Sequence, residues 1–414
     1  MEDRSDPAGS GPAELTPTAG PSGRSPDSKP MRIYCDHNGG TPLREEVLGA
    51  MLPFLREHYG NASSVHTLGS HARCAVEAAR AEVAALIGAE PAEIVFTSGG
   101  TESNNLAITG TVAASASGTV VTTPIEHASV REPIAALHAG GGVVREMAVD
   151  AEGRVAPADV AACLAAPAAL LSVGWANNEV GTIQPIAEIA AQCAARSVPL
   201  HVDAVQAAGK IPIHARGIDL LSLSAHKLGG PKGVGALFVR KGLRLEPLMR
   251  GGGQERGRRA GTENVAGIVG MGVACRLAAT ELGAFGEACV ALRDALWEAL
   301  GAAIDGVHRN GARGAGCLPN TLNVRFAGVR GEALVAALDL DGIAVSSGSA
   351  CAAGAGEPSH VLLALGCSLD DARDGVRFSL GRTNTRADID RMVAVTAAAV
   401  RRMRVARGSA RRHG

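Results

Sequence analysis

Short segments of almost unbroken apolar residues alternate with longer alanine-rich segments over residues 70–240, and this alternation constrains the fold most. Strands that are covered on both faces are apolar at every position, so we interpret the short segments as buried strands. They are 93-EIVFT-97, 119-TVVTT-123, 170-LLSVGW-175, 199-PLHVD-203, 219-DLLSLS-224 and 235-GALFV-239. Intervening segments such as 70-SHARCAVEAARAEVAALIG-88 and 186-IAEIAAQCAARS-197 are typical of helices. The order predicts an α/β fold with a mostly parallel sheet.

The pattern changes near residue 284, where helices and strands no longer alternate regularly. We predict strands over 319–326 and 343–347, and helices over 286–299, 331–339, 357–366 and 386–403. This division predicts a large domain over 46–283 and a smaller α+β domain over 284–400, which the segment 31–45 joins. Residues 1–30 are rich in proline, glycine and serine and predict a disordered tail, and the arginine-rich residues 401–414 predict a solvated basic tail.

Composition narrows the class of protein. Of the 414 residues, 46% are hydrophobic but only 2% are aromatic, so aliphatic side chains must build the core. A formal net charge of -1 gives no overall attraction to nucleic acid or to an anionic membrane. We identify no apolar run of the length of a membrane span, and no secretory signal in residues 1–30. We therefore expect a cytoplasmic protein with neither a nucleic-acid nor a membrane partner.

The nine cysteines include no C-x-x-C pair, which argues against both a disulfide framework and a zinc site. Several lie among alanine, valine and leucine, where a reduced cysteine is a small apolar filler; these are Cys74, Cys163, Cys193, Cys275 and Cys289. Cys351 is different, because 346-SSGSACAAGAGEP-358 surrounds it with small residues and predicts an exposed loop. An exposed thiol without a function is an oxidation liability, so Cys351 is a candidate reactive thiol. Cys35 and Cys367 are alternatives in more apolar segments.

Polar side chains follow the predicted strands at their carboxyl ends, where ligands bind in such sheets. After the first strand, 98-SGGTESNN-105 either exposes backbone N–H groups to a phosphate or forms an ordinary turn with Thr101 as a helix cap. After the second strand, His127 either stacks on a ligand and moves protons, or it caps a helix. After the third strand, 176-ANNEVGTIQPI-186 either contacts a ligand through its amides or forms an Asx turn.

Two further strands end in charged residues. Asp203, with Gln206 one turn later, could bind a cationic nitrogen; a metal ion is disfavoured because no second ligand stands at suitable spacing. Lys227 lies in 224-SAHKLGGPKG-233, either as a solvated lysine in a turn or, against apolar walls, as a nucleophilic amine. An anion site, a stacking histidine, a carboxylate and a lysine in this order fit pyridoxal phosphate, which has a phosphate, a flat ring, a ring nitrogen and an aldehyde.

The order of these motifs also points to an enzyme family. The segments that carry the resemblance are 98-SGGTESNN-105, 124-PIEHASV-130, 177-NNEVGTIQP-185, 202-VDAVQAAGK-210, 224-SAHKLGGPKG-233, 250-RGGGQERGRRAGTEN-264 and 346-SSGSACAAG-354. From about Ile33 to about Val400, the chain resembles the cysteine desulfurases of the class V aminotransferase fold and the related selenocysteine lyases. The resemblance implies a fold-type I pyridoxal-phosphate enzyme whose large domain has a mostly parallel seven-stranded sheet. It also implies conversion of L-cysteine to L-alanine, with transfer of the sulfur to an enzyme cysteine.

The resemblance implies a role for each residue that matches the family's motifs. Lys227 would carry the cofactor as an internal aldimine, and Asp203 would pair with the ring nitrogen. His127 would stack on the ring and move protons, while Gln206 and Asn178 would lie at its phenolic oxygen. The phosphate would be held by Gly100, Thr101, Ser224 and His226, and by Thr262 from the neighbouring subunit of a homodimer.

The resemblance also implies the substrate side of the site. Arg377 in 377-RFSLGR-382 would bind the substrate carboxylate as a bidentate guanidinium, a role for which Arg382 is the poorer candidate. Cys351 would take the sulfur as a persulfide and pass it to an acceptor protein. Asn38 lies in 34-YCDHNGGTP-42, which the family places near the substrate entrance, and is a candidate substrate-binding residue. Gly39 and Gly40 stand where the family has alanine and threonine, which predicts a wider or looser site.

Two other functions are compatible with the sequence. A selenocysteine lyase would use the same residues on the heavier atom. A non-catalytic protein of this fold would bind a partner or a nucleotide through its glycine loops, but the joint presence of the lysine, aspartate, histidine and cysteine disfavours it. The sequence does not specify the sulfur acceptor, so iron–sulfur cluster assembly, tRNA thiolation and a biosynthetic pathway are all compatible with it.

Overall fold

A computed structural model describes residues 32–347 and 357–410, with side chains as far as Arg407. The predicted tail over residues 1–30 and the candidate thiol Cys351 lie outside these ranges. The described strands, in chain order, are β1 (Ile33–Tyr34), β2 (Ile94–Thr97), β3 (Thr119–Thr122), β4 (Val143–Glu146), β5 (Leu170–Gly174), β6 (Leu200–Asp203), β7 (Leu220–Ser224), β8 (Gly235–Val239), β9 (Val307–Asn310), β10 (Thr321–Phe326), β11 (Ile343–Ala344), β12 (Ser346–Ser347) and β13 (Gly375–Ser379).

Helices connect most of these strands. In chain order the described α-helices are α1 (Glu45–Arg56), α2 (Thr67–Ile87), α3 (Gly100–Ala113), α4 (Ala128–Ala139), α5 (Pro157–Cys163), α6 (Ile186–Ala195), α7 (Val265–Ala303), α8 (Gly331–Leu340), α9 (His360–Ala364), α10 (Leu369–Ala372) and α11 (Arg386–Ala410). The predicted helix over 70–88 corresponds to α2, which ends at Gly88 in the left-handed conformation that favours glycine. α11 continues to Ala410 and so includes residues that the sequence predicted to be a solvated tail.

The main sheet has seven strands in the order β2–β8–β7–β6–β5–β3–β4. All neighbouring pairs are parallel except that β8 is antiparallel to both β2 and β7, so the predicted mostly parallel sheet is confirmed. The strand candidates all form strands of this sheet. The sequence did not indicate β4, because this edge strand is not buried on both faces, and Val143 at its start is 52% exposed.

Burial on both faces explains the continuously apolar strands. Successive residues of a strand point to opposite faces of the sheet. Val120, Leu170 and Leu220 belong to a core on one face. Val121, which follows Val120, and Leu171, which follows Leu170, belong to a larger core on the other face. Helices α2 and α7 cover this face.

The smaller region is built on an antiparallel sheet of order β12–β13–β10–β9, packed against α8 and α11. The predicted strand over 343–347 is in fact two short strands in different sheets, because β11 pairs with β1 while β12 pairs with β13. The N-terminal segment is therefore attached to the smaller region. Asp36, just after β1, also bridges Ser379 at the end of β13.

The helix α7 runs unbroken through residue 284, where the sequence pattern had suggested a boundary. It packs against α1, α2 and α11 and connects the two regions. By length and composition alone α7 could span a membrane, although we identified no such run in the sequence. However, half of its most apolar stretch is buried inside the protein. We interpret it as a core helix.

The filler cysteines divide into two groups. Cys193, Cys275 and Cys289 are buried, as predicted. Cys74 is exposed and Cys163 only half-buried, so the prediction is wrong for these two. Cys74 lies on the outer side of α2, between the buried Ala72 and Val76, where the surrounding alanines do not indicate which side faces the core.

Candidate active site

The carboxyl ends of the parallel strands surround one cavity of about 630 Å³. β2 runs in the same direction as β7, since β8 is antiparallel to both, so its carboxyl end lies at the same edge. The predicted site residues that line the cavity are Asn38, Gly100, Thr101, His127, Asn178, Asp203, Gln206, Ser224, His226, Lys227 and Arg377. Residues that are far apart in the sequence are therefore brought together as predicted.

One end of the cavity lies at the first turn of α3. Gly99 occupies the N-cap position of this helix, so the alternative interpretation of Thr101 as its cap is wrong. A Cβ at Gly100 would lie 2.7 Å from Val205 Cγ2, so glycine allows this turn to lie against the end of β6. The unpaired N–H groups and the dipole of a helix N-terminus favour an anion here.

Ser224 and His226 border the same end of the cavity. Ser224 Oγ lies 2.9 Å from His226 Nδ1. Burial, together with the charges of Lys227 and Lys232, lowers the pKa of His226 to about 4, so its ring is neutral at pH 7. These two side chains therefore offer neutral hydrogen-bonding groups beside the helix N-terminus.

A chain of hydrogen bonds joins Asp203 to His127. Asn104 Nδ2 donates to Asp203 Oδ2 and to Ser129 Oγ, both at 2.8 Å. Ser129 Oγ lies 2.8 Å from His127 Nδ1, and the Ser129 backbone N–H donates to the same nitrogen. Because an N–H can only donate, Nδ1 accepts and a neutral His127 carries its proton on Nε2. His127 also caps α4, as the alternative interpretation predicted, whereas the sequence gave no role to Asn104 or Ser129.

Lys227 lies in the single helical turn Ala225–Lys227 that follows β7. Its Nζ donates to the backbone oxygens of Asn38 at 2.6 Å and Gly39 at 2.8 Å. These two carbonyls hold the amine at the cavity wall. The structure therefore contradicts the alternative of a solvated lysine in a surface turn.

A second lysine, Lys210, is buried behind Lys227. Its Nζ donates to Gln206 Oε1 at 2.6 Å and to Asn38 Oδ1 at 3.1 Å. Because an amine can only donate, the Gln206 side chain must direct its Oε1 oxygen towards Lys210. Its Nε2 then points to the Asn38 backbone oxygen and donates to it at 3.0 Å. Burial, and the nearby charges of Lys227 and Arg377, hold the pKa of Lys210 well below its usual range. The sequence did not indicate Lys210, because its role depends on these contacts.

Arg377 reaches the cavity from β13 of the small sheet. Its side chain is 3% exposed, and its Nη2 lies 2.6 Å from Asp36 Oδ1. Its Nη1 donates to the backbone oxygen of Asn178 at 3.0 Å. A buried guanidinium at the cavity wall suits a carboxylate ligand.

Other residues that the sequence suggested lie away from the cavity. Arg382 pairs with Glu281 and faces a separate cavity of about 180 Å³, which supports its place as the poorer candidate. Thr262 is exposed and does not line the cavity of its own chain. Cys35 is fully buried, and burial raises its pKa to about 12, which disfavours it as a reactive thiol.

The segment that carries Cys351 is flanked by residues of the site. Cys351 itself lies outside the described residues. On the N-terminal side, Ser346 in β12 pairs with Arg377 in β13. On the C-terminal side, Pro358 lines the cavity. His360 Nε2 lies 3.0 Å from the backbone oxygen of Glu126, the residue before His127.

Two buried glutamates also line the cavity. Glu126 accepts a hydrogen bond from Thr123 Oγ1 at 2.6 Å, and Glu179 accepts one from Ser359 Oγ at 2.6 Å. Burial raises the pKa of each to about 7. The sequence did not indicate Glu126, since a glutamate just after a strand is usually solvated.

These raised pKa values predict a pH-dependent stability. A group that binds its proton more tightly in the folded state stabilises the fold below its unfolded pKa, here 4.5, and this contribution is lost as the pH rises through about 7. Glu126→Gln keeps an oxygen for Thr123 but cannot ionise. We expect it to reduce the decline in the free energy of unfolding, measured by urea denaturation between about pH 5 and pH 8. Glu57→Gln, at an exposed glutamate, should keep the wild-type slope; an unchanged slope in Glu126→Gln would contradict the assignment.

The comparisons with known proteins agree with this geometry. The family model of class V aminotransferases matches residues 33–392. A cysteine desulfurase IscS of Dictyoglomus turgidum is 46% identical over 362 residues, which cover 86% of this chain and 92% of the relative. The chain therefore belongs to the class V aminotransferase family and, within it, to the cysteine desulfurases, as its motifs predicted.

Solved structures give the same result. A NifS-like protein superposes with a TM-score of 0.83 at 38% identity, covering 89% of this chain and 99% of that protein. A structure described as SspA in complex with cysteine has a TM-score of 0.75 at 35% identity, covering 85% of this chain and 100% of that protein. These similarities extend over both the large and the small regions.

Proposed function

We propose that this chain is a pyridoxal-phosphate-dependent cysteine desulfurase that converts L-cysteine to L-alanine and passes the sulfur through Cys351 to an acceptor protein. The observation that carries the proposal is the convergence of Lys227, Asp203 and Arg377 on one cavity at the N-terminus of α3. They supply an amine for an aldehyde, a carboxylate for a ring nitrogen and a cation for a substrate carboxylate.

The cavity fits the groups of the cofactor. The N-terminus of α3 can hold the phosphate only because Gly100 lacks a Cβ that would meet Val205. The Asp203 carboxylate is fixed in position, since its Oδ1 accepts from the Val205 N–H at 2.9 Å and its Oδ2 accepts from Asn104. When bound, the cofactor supplies an electron sink that acidifies the substrate Cα proton.

The side chains then have separate tasks. Arg377 binds the carboxylate of L-cysteine and so orients its Cα. With the cofactor bound, Lys227 Nζ would accept the Cα proton of the substrate. The thiolate of Cys351 attacks the substrate sulfur, so that an S–S bond forms as the C–S bond breaks. The electron pair of that C–S bond stays on the substrate Cβ. Alanine forms when Cβ takes a proton and Lys227 Nζ returns its proton to Cα.

The remaining parts of the proposal concern partners. SspA is described in complex with cysteine, which supports L-cysteine as the substrate here. The exposed position of Thr262, outside the cavity of its own chain, supports a homodimer in which it completes the partner's phosphate site. We also propose a cytoplasmic location, on the sequence argument above.

One experiment tests the function directly. An absorbance spectrum of the purified protein is recorded with pyridoxal phosphate, before and after addition of L-cysteine with a reductant, and sulfide and alanine are assayed. We expect a visible band that shifts with L-cysteine, and release of sulfide and alanine in equal amounts. A parallel assay with L-selenocysteine distinguishes a selenocysteine lyase. A protein that stays colourless with the cofactor would contradict the proposal.

Replacing Cys351 by serine tests the sulfur transfer. Serine cannot form a persulfide, so we expect Cys351→Ser to lower sulfide release by about a thousandfold while the visible band is retained. Cys74→Ser is the matched control, because Cys74 is exposed on α2, and should behave as the wild type. Full sulfide release by Cys351→Ser would contradict the mechanism.

A further inference from the structure

The hydrogen bonds of Arg377 leave a defined part of its guanidinium for a ligand. Asp36 Oδ1 lies 2.6 Å from Nη2, and the Asn178 backbone oxygen lies 3.0 Å from Nη1. Each terminal nitrogen carries two hydrogens, so one on each nitrogen is still available. Asp36 and Asn178 therefore fix the orientation of the group. Donors remain on both terminal nitrogens and on the buried Nε, which has no partner among the described residues, and these suit the oxygens of a carboxylate.

Asp36 is held in register with Arg377. Its backbone bridges Ser379, which lies two residues after Arg377 in the same strand. The side chain of Asp36 is 26% exposed, whereas that of Arg377 is 3% exposed. Asp36 is thus the carboxylate that compensates the buried Arg377 cation.

Gly39 provides the space that the Asp36 carboxylate occupies. A Cβ at Gly39 would lie 2.4 Å from Asp36 Oδ2 and 2.9 Å from its Cγ, so an alanine would force this side chain to move. Gly39 does not have a positive φ, so the backbone itself would accept an alanine. At Gly40 the nearest atom to such a Cβ is His226 Cδ2 at 3.9 Å, which is an ordinary contact.

We propose that Asp36 is a positioning residue that aims Arg377 at the substrate carboxylate, and that Gly39 determines substrate affinity because it leaves room for Asp36. This inference deepens the proposed function and rests on it. The missing methyl group at position 39 does not widen the site as the sequence suggested, because the Asp36 carboxylate fills the space. The second departure, Gly40, has no part in this arrangement.

A double-mutant cycle on the cofactor-loaded enzyme tests the inference. The measurements are the dissociation constant of L-alanine, from the absorbance change of the bound cofactor, and KM and kcat for L-cysteine. We expect Gly39→Ala and Asp36→Ala each to raise the dissociation constant and KM about tenfold, the loss of one hydrogen bond to a charged group. The combined variant should show no further increase, because both changes act through Asp36.

Two variants separate this role from a general structural one. Gly40→Ala should keep the wild-type dissociation constant, because its methyl group has room. Asp36→Asn keeps the oxygen that accepts from Arg377, so we expect it to recover most of the affinity that Asp36→Ala loses. The kcat of each variant should stay within about threefold of the wild type, since the change affects binding rather than chemistry.

The outcomes for this inference and for the proposed function are distinct. Additive effects of Gly39→Ala and Asp36→Ala, or equal effects of Gly39→Ala and Gly40→Ala, would overturn the inference and leave the function intact. A wild type that binds L-alanine but releases no sulfide from L-cysteine would overturn the function, and the cycle on L-alanine would still decide the role of Asp36. A wild type that shows no absorbance change with either L-alanine or L-cysteine, and releases no sulfide, would overturn both.

Discussion

Lys227→Ala is expected to eliminate the covalent attachment of pyridoxal phosphate and to lower sulfide release by at least about 10⁴-fold, because one residue supplies both the amine and the base. Its Nζ lies at the cavity wall, where it donates to the Asn38 and Gly39 oxygens. Borohydride treatment of the loaded wild type should fix the cofactor on the peptide that contains Lys227, which mass spectrometry detects. The same treatment of Lys227→Ala should leave that peptide unmodified.

Lys232 provides the matched control for this experiment. It lies in the same stretch, 224-SAHKLGGPKG-233, but is exposed. Lys232→Ala should keep the visible band and sulfide release within about threefold of the wild type, because a solvated lysine has no catalytic partner. A Lys227→Ala enzyme that still releases sulfide at the wild-type rate would show that a different group is the base. The buried Lys210, whose Nζ also donates to Asn38, would then be the candidate.

The sequence predicted those parts of the site whose functional residues stand at the carboxyl ends of strands. Asp203 and Lys227 could be identified because Asp203 ends one apolar strand and Lys227 lies just beyond another, and parallel strands place such residues at one edge. Asn104, Ser129 and Lys210 were not assigned roles. Each depends on a contact to a residue far away in sequence, since Asn104 donates to Asp203 and Ser129, and Lys210 donates to Asn38.

The same distinction applies to the fold. The buried strands were predicted because burial on both faces leaves an apolar signal, whereas the edge strand β4 leaves none. The change of pattern near residue 284 suggested a boundary there, but α7 packs against α1 and α2 and runs through this residue without a break. The sequence shows that Gly39 replaces the alanine of the family motif, but the effect of this change depends on the position of the Asp36 side chain.

Asp203→Asn should keep the cofactor bound but lower kcat by about a thousandfold, because it removes the negative charge that would face the ring nitrogen and stabilise the developing charge. The amide oxygen of the variant can still accept from the Val205 N–H. Its amide nitrogen, however, would face Asn104 Nδ2, so the hydrogen bond at that point is lost. The measurements are the visible spectrum, which reports the cofactor, and kcat for L-cysteine.

A second variant tests whether the position of the charge matters. Asp203→Asn combined with Asn104→Asp reverses the hydrogen bond between the two residues and keeps the total charge, but places the carboxylate against Ser129 Oγ, to which residue 104 can then no longer donate. If the position of the charge matters, the combined variant stays as slow as Asp203→Asn. Recovery of kcat in the combined variant would show that a carboxylate at position 104 serves as well as one at position 203, and it would remove Asp203 from its assigned role beside the ring nitrogen.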